Sequence, residues 1–478
     1  MKLHQIALAT AVLVAGTANA AMTPADVALV NGAQSRIISI SGASAVQKGF
    51  TEVIARMFTG TPVYFSKASG AGASFDKADY IGVAGTLASG AGNWSGKTAI
   101  VLYRVKGGSA YGVNPVARNA VIDALKVDAT CGANSGNGTS AAPYDCNTSM
   151  RVPDAGVSDV APKFFKQPYN TEGETAADAL NETELSVLNS KPIYGLAFGV
   201  PVTSTVPAST KFTRSLLSAI MTGNVATWAD VDGTSGDIVV CRRTPGSGTQ
   251  AVMNMWANSF PCSGAYNAPA DRDASGAWDA GSRTFTAGNV TDGLIVIENS
   301  SSSEVATCLD KAVTGGTYTT KDRDGESVTV NFGTGGYKAV GVLSMDSLAK
   351  SKAAGNWQFR ALDGTGNLTW DNTAAAPVVS AGATGKLPTL ATYENGDWDL
   401  QGWVSFNIPS RTTGDKLDVL NQFVAKAQDP AVLAAVTDLK NVAAGIPDTD
   451  ADYSGPNVLD AVYLNGDQCA PYSRNHND

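Results

Sequence analysis

A chain of 478 residues with a formal charge of −9 and only 16% charged residues has length enough for two or three lobes or one large bilobal fold. The acidic, weakly charged composition argues against nucleic acid as a partner. It leaves small anions open, because backbone amides and helix N-termini hold them without a basic surface. Lys2, the apolar run Ile6 to Ala15 and the small-x-small Ala18-Asn19-Ala20 form a signal peptide over residues 1–20, so the protein is expected to be exported, periplasmic or secreted. No cysteine follows that cleavage site, which removes the case for a lipid anchor, and no later apolar run approaches the ~20 residues of a membrane span. Loss of Lys2 takes the charge to −10.

Arg36 to Ser41 reads as a strand that runs through Gly42-Ala43-Ser44-Ala45 into a helix, with Val46, Phe50, Val53, Ile54, Met57 and Phe58 on one face. Residues 68–140 are rich in Gly, Ala and Ser, and within them Thr98 to Arg104 looks like a buried strand. Tyr194 to Val200 is a second buried strand. Phe212 to Gly223 is a helix capped by Thr213 and ended by Gly223. Asp237 to Arg242 is a strand, meets the turn Thr244 to Thr249, and leads into a helix with Val252, Met255, Trp256 and Phe260 on one face. Residues 263–335 read as loop-rich and irregular. Trp403 to Ile408 is a strand, and Lys416 to Ala427 and Asp429 to Val442 are helices, the second with Asp429 as cap and Pro430 in its first turn. Alternating strands and helices without an internal repeat give an α/β fold with mainly parallel sheets.

The residues that could carry chemistry narrow the function. The chain has two histidines, His4 in the signal peptide and His476 in the polar tail. A Ser-His-Asp triad or a histidine zinc site would need a tail residue, so no catalysis, metal or cofactor is expected. The six cysteines, Cys131, Cys146, Cys241, Cys262, Cys308 and Cys469, form no CxxC pair and are read as disulfides of an oxidising compartment. The expected pairing is Cys131–Cys146, Cys241–Cys262 and Cys308–Cys469. After the acid run Asp448 to Asp452, Tyr453 stands where a calcium loop has its glycine and Asp460 is a poor stand-in for the closing glutamate, and the run Asp322 to Gly325 is shorter still.

Arg243-Thr-Pro-Gly-Ser-Gly-Thr249 joins a strand to a helix. Gly246 and Gly248 let the backbone approach a bound group. Ser247 and Thr249 add hydroxyls, the first helical amides favour an anion, and Arg243 offers a forked contact to oxygens. Gly42-Ala43-Ser44 is a second turn of this kind.

These segments together resemble the phosphate-binding component of ABC transporters, a two-lobed, type II periplasmic binding fold. Ser41 to Ser44 stands where that family has its first Gly-rich anion turn. Asp154 to Pro162 is similar to its GASDAPL segment, Met221 to Trp228 to its helix-and-turn before a tryptophan, and Arg243 to Thr249 to its RxDGSGT loop. The stretches fall in the family's order between about residues 37 and 430. The resemblance implies that phosphate or a similar oxyanion binds between the lobes. Ser44, Ser247, Gly248 and Thr249 would donate to it, Arg243 would pair with it, and Ser158 and Ser69 would be further hydroxyl contacts (Ser66 and Ser74 compete for the place of Ser69). Asp159 would accept the proton of hydrogen phosphate and repel sulfate, which carries none. Pro245 departs from the family, which has there an aspartate that holds the arginine.

The lobes are expected as residues 21–195 with 340–478, and 196–339. The first would carry a disulfide-bearing insertion at about 105–150, the second a loop-rich one at about 263–335, and hinges would lie near 195–202 and 335–345. The reading is a monomeric solute-binding protein that delivers its anion to an ABC permease. A secreted phosphatase of similar fold, or a surface or matrix protein that reuses the fold, are the alternatives.

Overall fold

A computed structural model describes residues 36–67, 78–132, 136–171, 178–271, 277–347, 355–368 and 382–437 apart from 292, 389 and 395, together with 24, 439, 442–445, 461, 462, 469, 473 and 474. The signal peptide, Ser69, Ser74 and the acid run Asp448 to Asp452 lie outside these residues.

Strand β1 (Ile37–Gly42) is buried along its whole length, as an apolar run without alternation requires. Helix α1 (Gln47–Ala55) sets Phe50, Val53 and Ile54 against it. A meander of β2 (Phe58–Lys67), β3 (Tyr80–Leu87) and β4 (Thr98–Arg104) follows, and β4 returns to lie parallel to β1. The hairpin of β5 (Ile122–Lys126) and β7 (Asn147–Arg151), with β6 (Tyr144–Asp145) between them, folds back onto this sheet. Leu125, Val127, Cys131 and Cys146 cover Phe65, Tyr80 and Leu102 in a separate apolar cluster. Strand β8 (Ala155–Ser158) is the other parallel neighbour of β1, and β9 (Leu188–Gly199) runs antiparallel further out.

At Val200 the chain leaves this sheet for a second one. That sheet contains β10 (Pro201–Thr203) and, after α2 (Arg214–Met221), β11 (Ile238–Arg243), from which α3 (Gly248–Asn258) departs. Thr213 caps α2 through the amide of Leu216, as the sequence predicts. The stretch expected to be loop-rich is ordered. Strands β12 (Trp278–Asp279) and β13 (Thr284–Thr286) precede β14 (Ile295–Asn299), an edge strand of the second sheet parallel to β11, and α4 (Ser302–Thr314) covers that sheet. The hairpin of β15 (Thr317–Lys321) and β16 (Ser327–Asn331) completes a four-stranded sheet with β12 and β13. Its strands are short and rich in threonine, so their alternation is weak, whereas α4 carries a full capping box of Ser301 and Glu304.

Strand β17 (Lys338–Gly341) closes the second sheet, and at Val342 the chain crosses back to β18 (Leu343–Ser344), which pairs with the end of β9. The assignment of all residues beyond 339 to the first lobe needs correction. Strands β19 (Trp357–Arg360) and β20 (Asn367–Leu368) return to the second sheet beside β10, because Trp357 and Phe359 bury there completely. Strand β21 (Gln401–Pro409), α5 (Asp415–Gln428), α6 (Pro430–Ala435) and β22 (Ala443–Gly445) finish the first sheet. The last helix ends at Ala435, short of the expected Val442.

The first sheet has the order β18-β9-β21-β8-β1-β4-β3-β2-β6 with β22 on β9, and the second β14-β11-β17-β10-β19-β20. Each is the spine of one lobe of a two-lobed α/β fold. Parallel pairing is concentrated at the centre of the first, in β8-β1-β4, and at one end of the second, in β14-β11-β17.

Three disulfides join Cys131 to Cys146, Cys241 to Cys308, and Cys262 to Cys469. The first matches expectation and the other two exchange partners. Cys241 lies on β11 and meets Cys308 on the helix that covers that strand. The intervening α3, 11 residues long, carries Cys262 away by about 16 Å of helix.

Candidate functional site

The parallel strands of both sheets end at the same place. In open α/β sheets the crevice outside the carboxyl ends of the strands is where ligands are held. From the first lobe, β1 ends in Gly42-Ala43-Ser44, β4 in Gly107-Gly108-Ser109, and β8 in Ser158-Asp159. From the second, β11 ends in Arg243 and the turn into α3, and β14 in Asn299 and the turn into α4.

The three strand ends of the first lobe cross so closely that only glycine fits. A Cβ on Gly42 or Gly112 would overlap the Val157 carbonyl, and one on Gly156 would overlap the Gly112 carbonyl. Gly42 also adopts φ +138°, a region only glycine visits freely. Ser41 Oγ ties the layers together by donating to Tyr111 O at 2.6 Å, and Ala43 N donates to Val157 O at 3.0 Å.

Asp159 is the centre of the arrangement and is 1% exposed. Its Oδ2 accepts from Thr249 Oγ1 at 3.0 Å, and its amide donates to Ser109 Oγ at 3.3 Å. Its Oδ1 is buried and has no hydrogen-bond partner. Burial pushes the carboxyl up to about 6, against the pull of the nearby Arg243 charge and the hydroxyls of Thr249 and Ser109. Beneath it lie Tyr103 and Tyr194, whose hydroxyls burial holds well above their ordinary value, with Asp346 adding to the negative field. Tyr194 Oη and Ser44 Oγ are further buried oxygens without a partner. An unpaired buried polar atom costs about 1–3 kcal/mol. Each such atom in a folded protein calls for an explanation, an unfilled ligand contact among them.

Arg243 is 1% exposed and spreads its guanidinium over the end of β14. Nε donates to Asn299 O at 3.2 Å, Nη1 to Ser302 Oγ at 3.1 Å and Nη2 to Ser300 O at 2.8 Å. Carbonyls and a hydroxyl thus orient this arginine. Gln250 Oε1 accepts from its amide at 3.2 Å and continues through Asn254 to Asn170. Ser247 caps α3 by accepting from Gln250 N, and Gly248 opens the helix. A Cβ on Gly248 would overlap Ser109 Oγ and come within 2.7 Å of Asp159 Cβ. The lobes are therefore closed against one another here, with Ala110 N donating to Gly246 O at 2.9 Å across the gap.

Of the expected residues, the structure brings Asp159, Arg243, Ser247, Gly248 and Thr249 together, and Ser44 stands at the adjoining strand end. Ser158 is fully buried, but its hydroxyl donates to Val160 O at 2.6 Å and accepts from Val160 N at 3.2 Å, so it shapes its own turn. Ser109, not expected, is the first lobe's hydroxyl on Asp159. Its signal was present: a buried strand followed by Gly107-Gly108-Ser109 repeats the pattern of Ser41 to Ser44. Asp322 in the shorter acid run is engaged by Arg283 and by the amides of its own turn, Asp324 N and Glu326 N.

Two facing lobes, a cleft between them and strand-end turns aimed into it define the architecture: a two-lobed α/β fold of the periplasmic-binding-protein type. Residues 178–358, which run from ahead of β9 into β19, match the family model described as the PBP superfamily domain. No curated protein matches the chain. Solved structures similar to it include a phosphate ABC transporter substrate-binding protein from Clostridium perfringens with bound phosphate, at 12% identity over 85% of this chain and 98% of that one, TM-score 0.41. Others are PstS from Borrelia burgdorferi, at 13% identity over 85% and 98%, TM-score 0.36, and a phosphate binding protein from Stenotrophomonas maltophilia, at 13% over 82% and 84%, TM-score 0.38.

Proposed function

We propose that the protein is an exported solute-binding protein that takes phosphate between its lobes and delivers it to a membrane permease. The observation that carries this reading is the buried, unpartnered Oδ1 of Asp159 beside the first turn of α3 and the charge of Arg243. The amides and hydroxyls of that turn, Ser44 and Arg243 suit an anion. The carboxylate selects one that brings its own proton. Hydrogen phosphate donates that proton to Asp159, whereas sulfate presents only repelled oxygens.

The hinge lies where β9 passes into β10 at Val200 and β17 into β18 at Val342. The two segments pair side by side, Gly199 with Leu343 and Phe198 with Ser344. Rotation about this pair parts Ser109 and Asp159 from Gly248 and Thr249 and admits the anion.

Thermal unfolding of the dialysed mature protein with 1 mM phosphate or 1 mM sulfate tests the reading. A ligand bound at about 1 μM adds about 4 kcal/mol at that concentration, so phosphate raises the midpoint by several degrees and sulfate leaves it in place. Equal response to both anions, or none, overturns the assignment.

A further inference from the structure

The anion turns border a cleft much larger than an inorganic oxyanion fills. It has a volume of about 380 Å³ and is lined from the first lobe by Ser44, Gln47, Lys48 and Lys106, and from the second by Ser300 to Glu304, Thr307 and Lys321. A tetrahedral oxyanion displaces two or three waters, under about 100 Å³ at ~30 Å³ each. Ser44 lines the cleft, and so do Ser300 and Ser302, to which the Arg243 guanidinium donates.

The chemistry of the walls restricts what fits. Among the described lining residues none is aromatic, so there is no platform on which a base or other flat ring could stack. Hydroxyls, an amide, three lysines and the carboxylates of Asp79, Glu304 and Asp346 line the space instead. Neutral donors and acceptors interleaved with both charges match a partner that both donates and accepts many hydrogen bonds, which is the surface of a polyol.

We infer, on the basis of the phosphate reading above, that the ligand held between the lobes is the phosphomonoester of a sugar or similar polyhydroxylated alcohol, with its phosphoryl group at Ser44, Asp159 and Arg243 and its hydroxylated part in this cleft. A phosphomonoester has its second ionisation near pH ~6, so at neutral pH it is mainly the proton-free dianion, and the contact with Asp159 takes the roughly one-tenth that keeps its proton. Lys48, Lys106 and Lys321 then lie within the cleft as donors to hydroxyl or ring oxygens.

Calorimetric titration of the dialysed full chain with glucose 6-phosphate and, separately, with inorganic phosphate tests the inference. The expected result is at least tenfold tighter binding of the ester. Thr307→Trp, which fills the cleft one turn into α4, and Lys321→Ala each weaken the ester by tenfold or more and move inorganic phosphate by less than twofold. Inorganic phosphate that binds as tightly as the ester, or tighter, overturns the inference and leaves the phosphate reading standing. Tight ester binding that neither variant changes overturns the placement in this cleft. Binding of neither compound overturns both readings.

Discussion

Replacing Asp159 with asparagine should stabilise the ligand-free protein, and by an amount that grows with pH. The Asp159 carboxyl is raised from 3.8 to about 6, first by burial and against the opposing effect of Arg243, Thr249 and Ser109. Tyr103, Tyr194 and Asp346 surround it without adding a positive charge. At 1.36 kcal/mol per pH unit this is about 3 kcal/mol. The sign follows from proton binding: between pH 3.8 and about 6 the folded state holds the proton that the unfolded state has lost, so stability falls as pH rises through that window. Above it the full penalty is present. Asparagine has no such penalty, can still accept from Thr249, and carries a buried NH₂ group that costs about 1–3 kcal/mol independently of pH. The readout is therefore the change in the gap between variant and wild type across pH. For lobes of roughly 200 residues, each kcal/mol moves the midpoint by about 2–4 °C. The gap in melting temperature should widen in favour of the variant by roughly 6 °C or more between pH 4 and pH 7.5. A gap that stays constant, or that narrows with rising pH, would refute the reasoning.

Other consequences can be checked directly. Thr249→Val removes the donor to Asp159 Oδ2 and should weaken phosphate binding by roughly 10- to 100-fold, on the basis of about 1.5–3 kcal/mol for a hydrogen bond to a charged group; calorimetry reads it, and an unchanged affinity would remove Thr249 from the site. Gly42→Ala forces a methyl group into the Val157 carbonyl at φ +138°, so a loss of about 3 kcal/mol or more is expected in denaturant unfolding. Peptide mapping without reduction should recover Cys131–Cys146, Cys241–Cys308 and Cys262–Cys469; a fragment joining Cys241 to Cys262 would contradict the packing of α4 on β11.

The strand-to-turn boundaries were the most legible part of the chain. Apolar-rich stretches such as Ile37 to Ile40 and Ile238 to Cys241 carry no competing helical period, and each leads into a glycine-containing turn whose backbone chemistry is local. Thr213 and Asp429 were readable as caps for the same reason. What depends on distant partners was not readable. The swap of Cys241 and Cys262 follows from which helix covers β11, a tertiary fact. The return of Trp357 to Leu368 to the second sheet rests on two aromatics that look like any other buried pair in sequence. Gly107-Gly108-Ser109 carries the local signal of a strand-end turn, but that its serine reaches Asp159 depends on β4 lying beside β1, a tertiary fact. The burial of Asp159 was legible only through the resemblance of Asp154 to Pro162, since a Val-Ser-Asp-Val stretch reads equally well as a surface turn.

The most direct test of the account is a pair of calorimetric titrations at neutral pH, phosphate and then sulfate, on the wild-type protein and on Asp159→Asn. The account predicts micromolar or tighter phosphate binding by the wild type, at least 1,000-fold selectivity over sulfate (about 4 kcal/mol), and a variant in which that selectivity collapses. Sulfate bound by the wild type as well as phosphate, or selectivity untouched by the substitution, would contradict it.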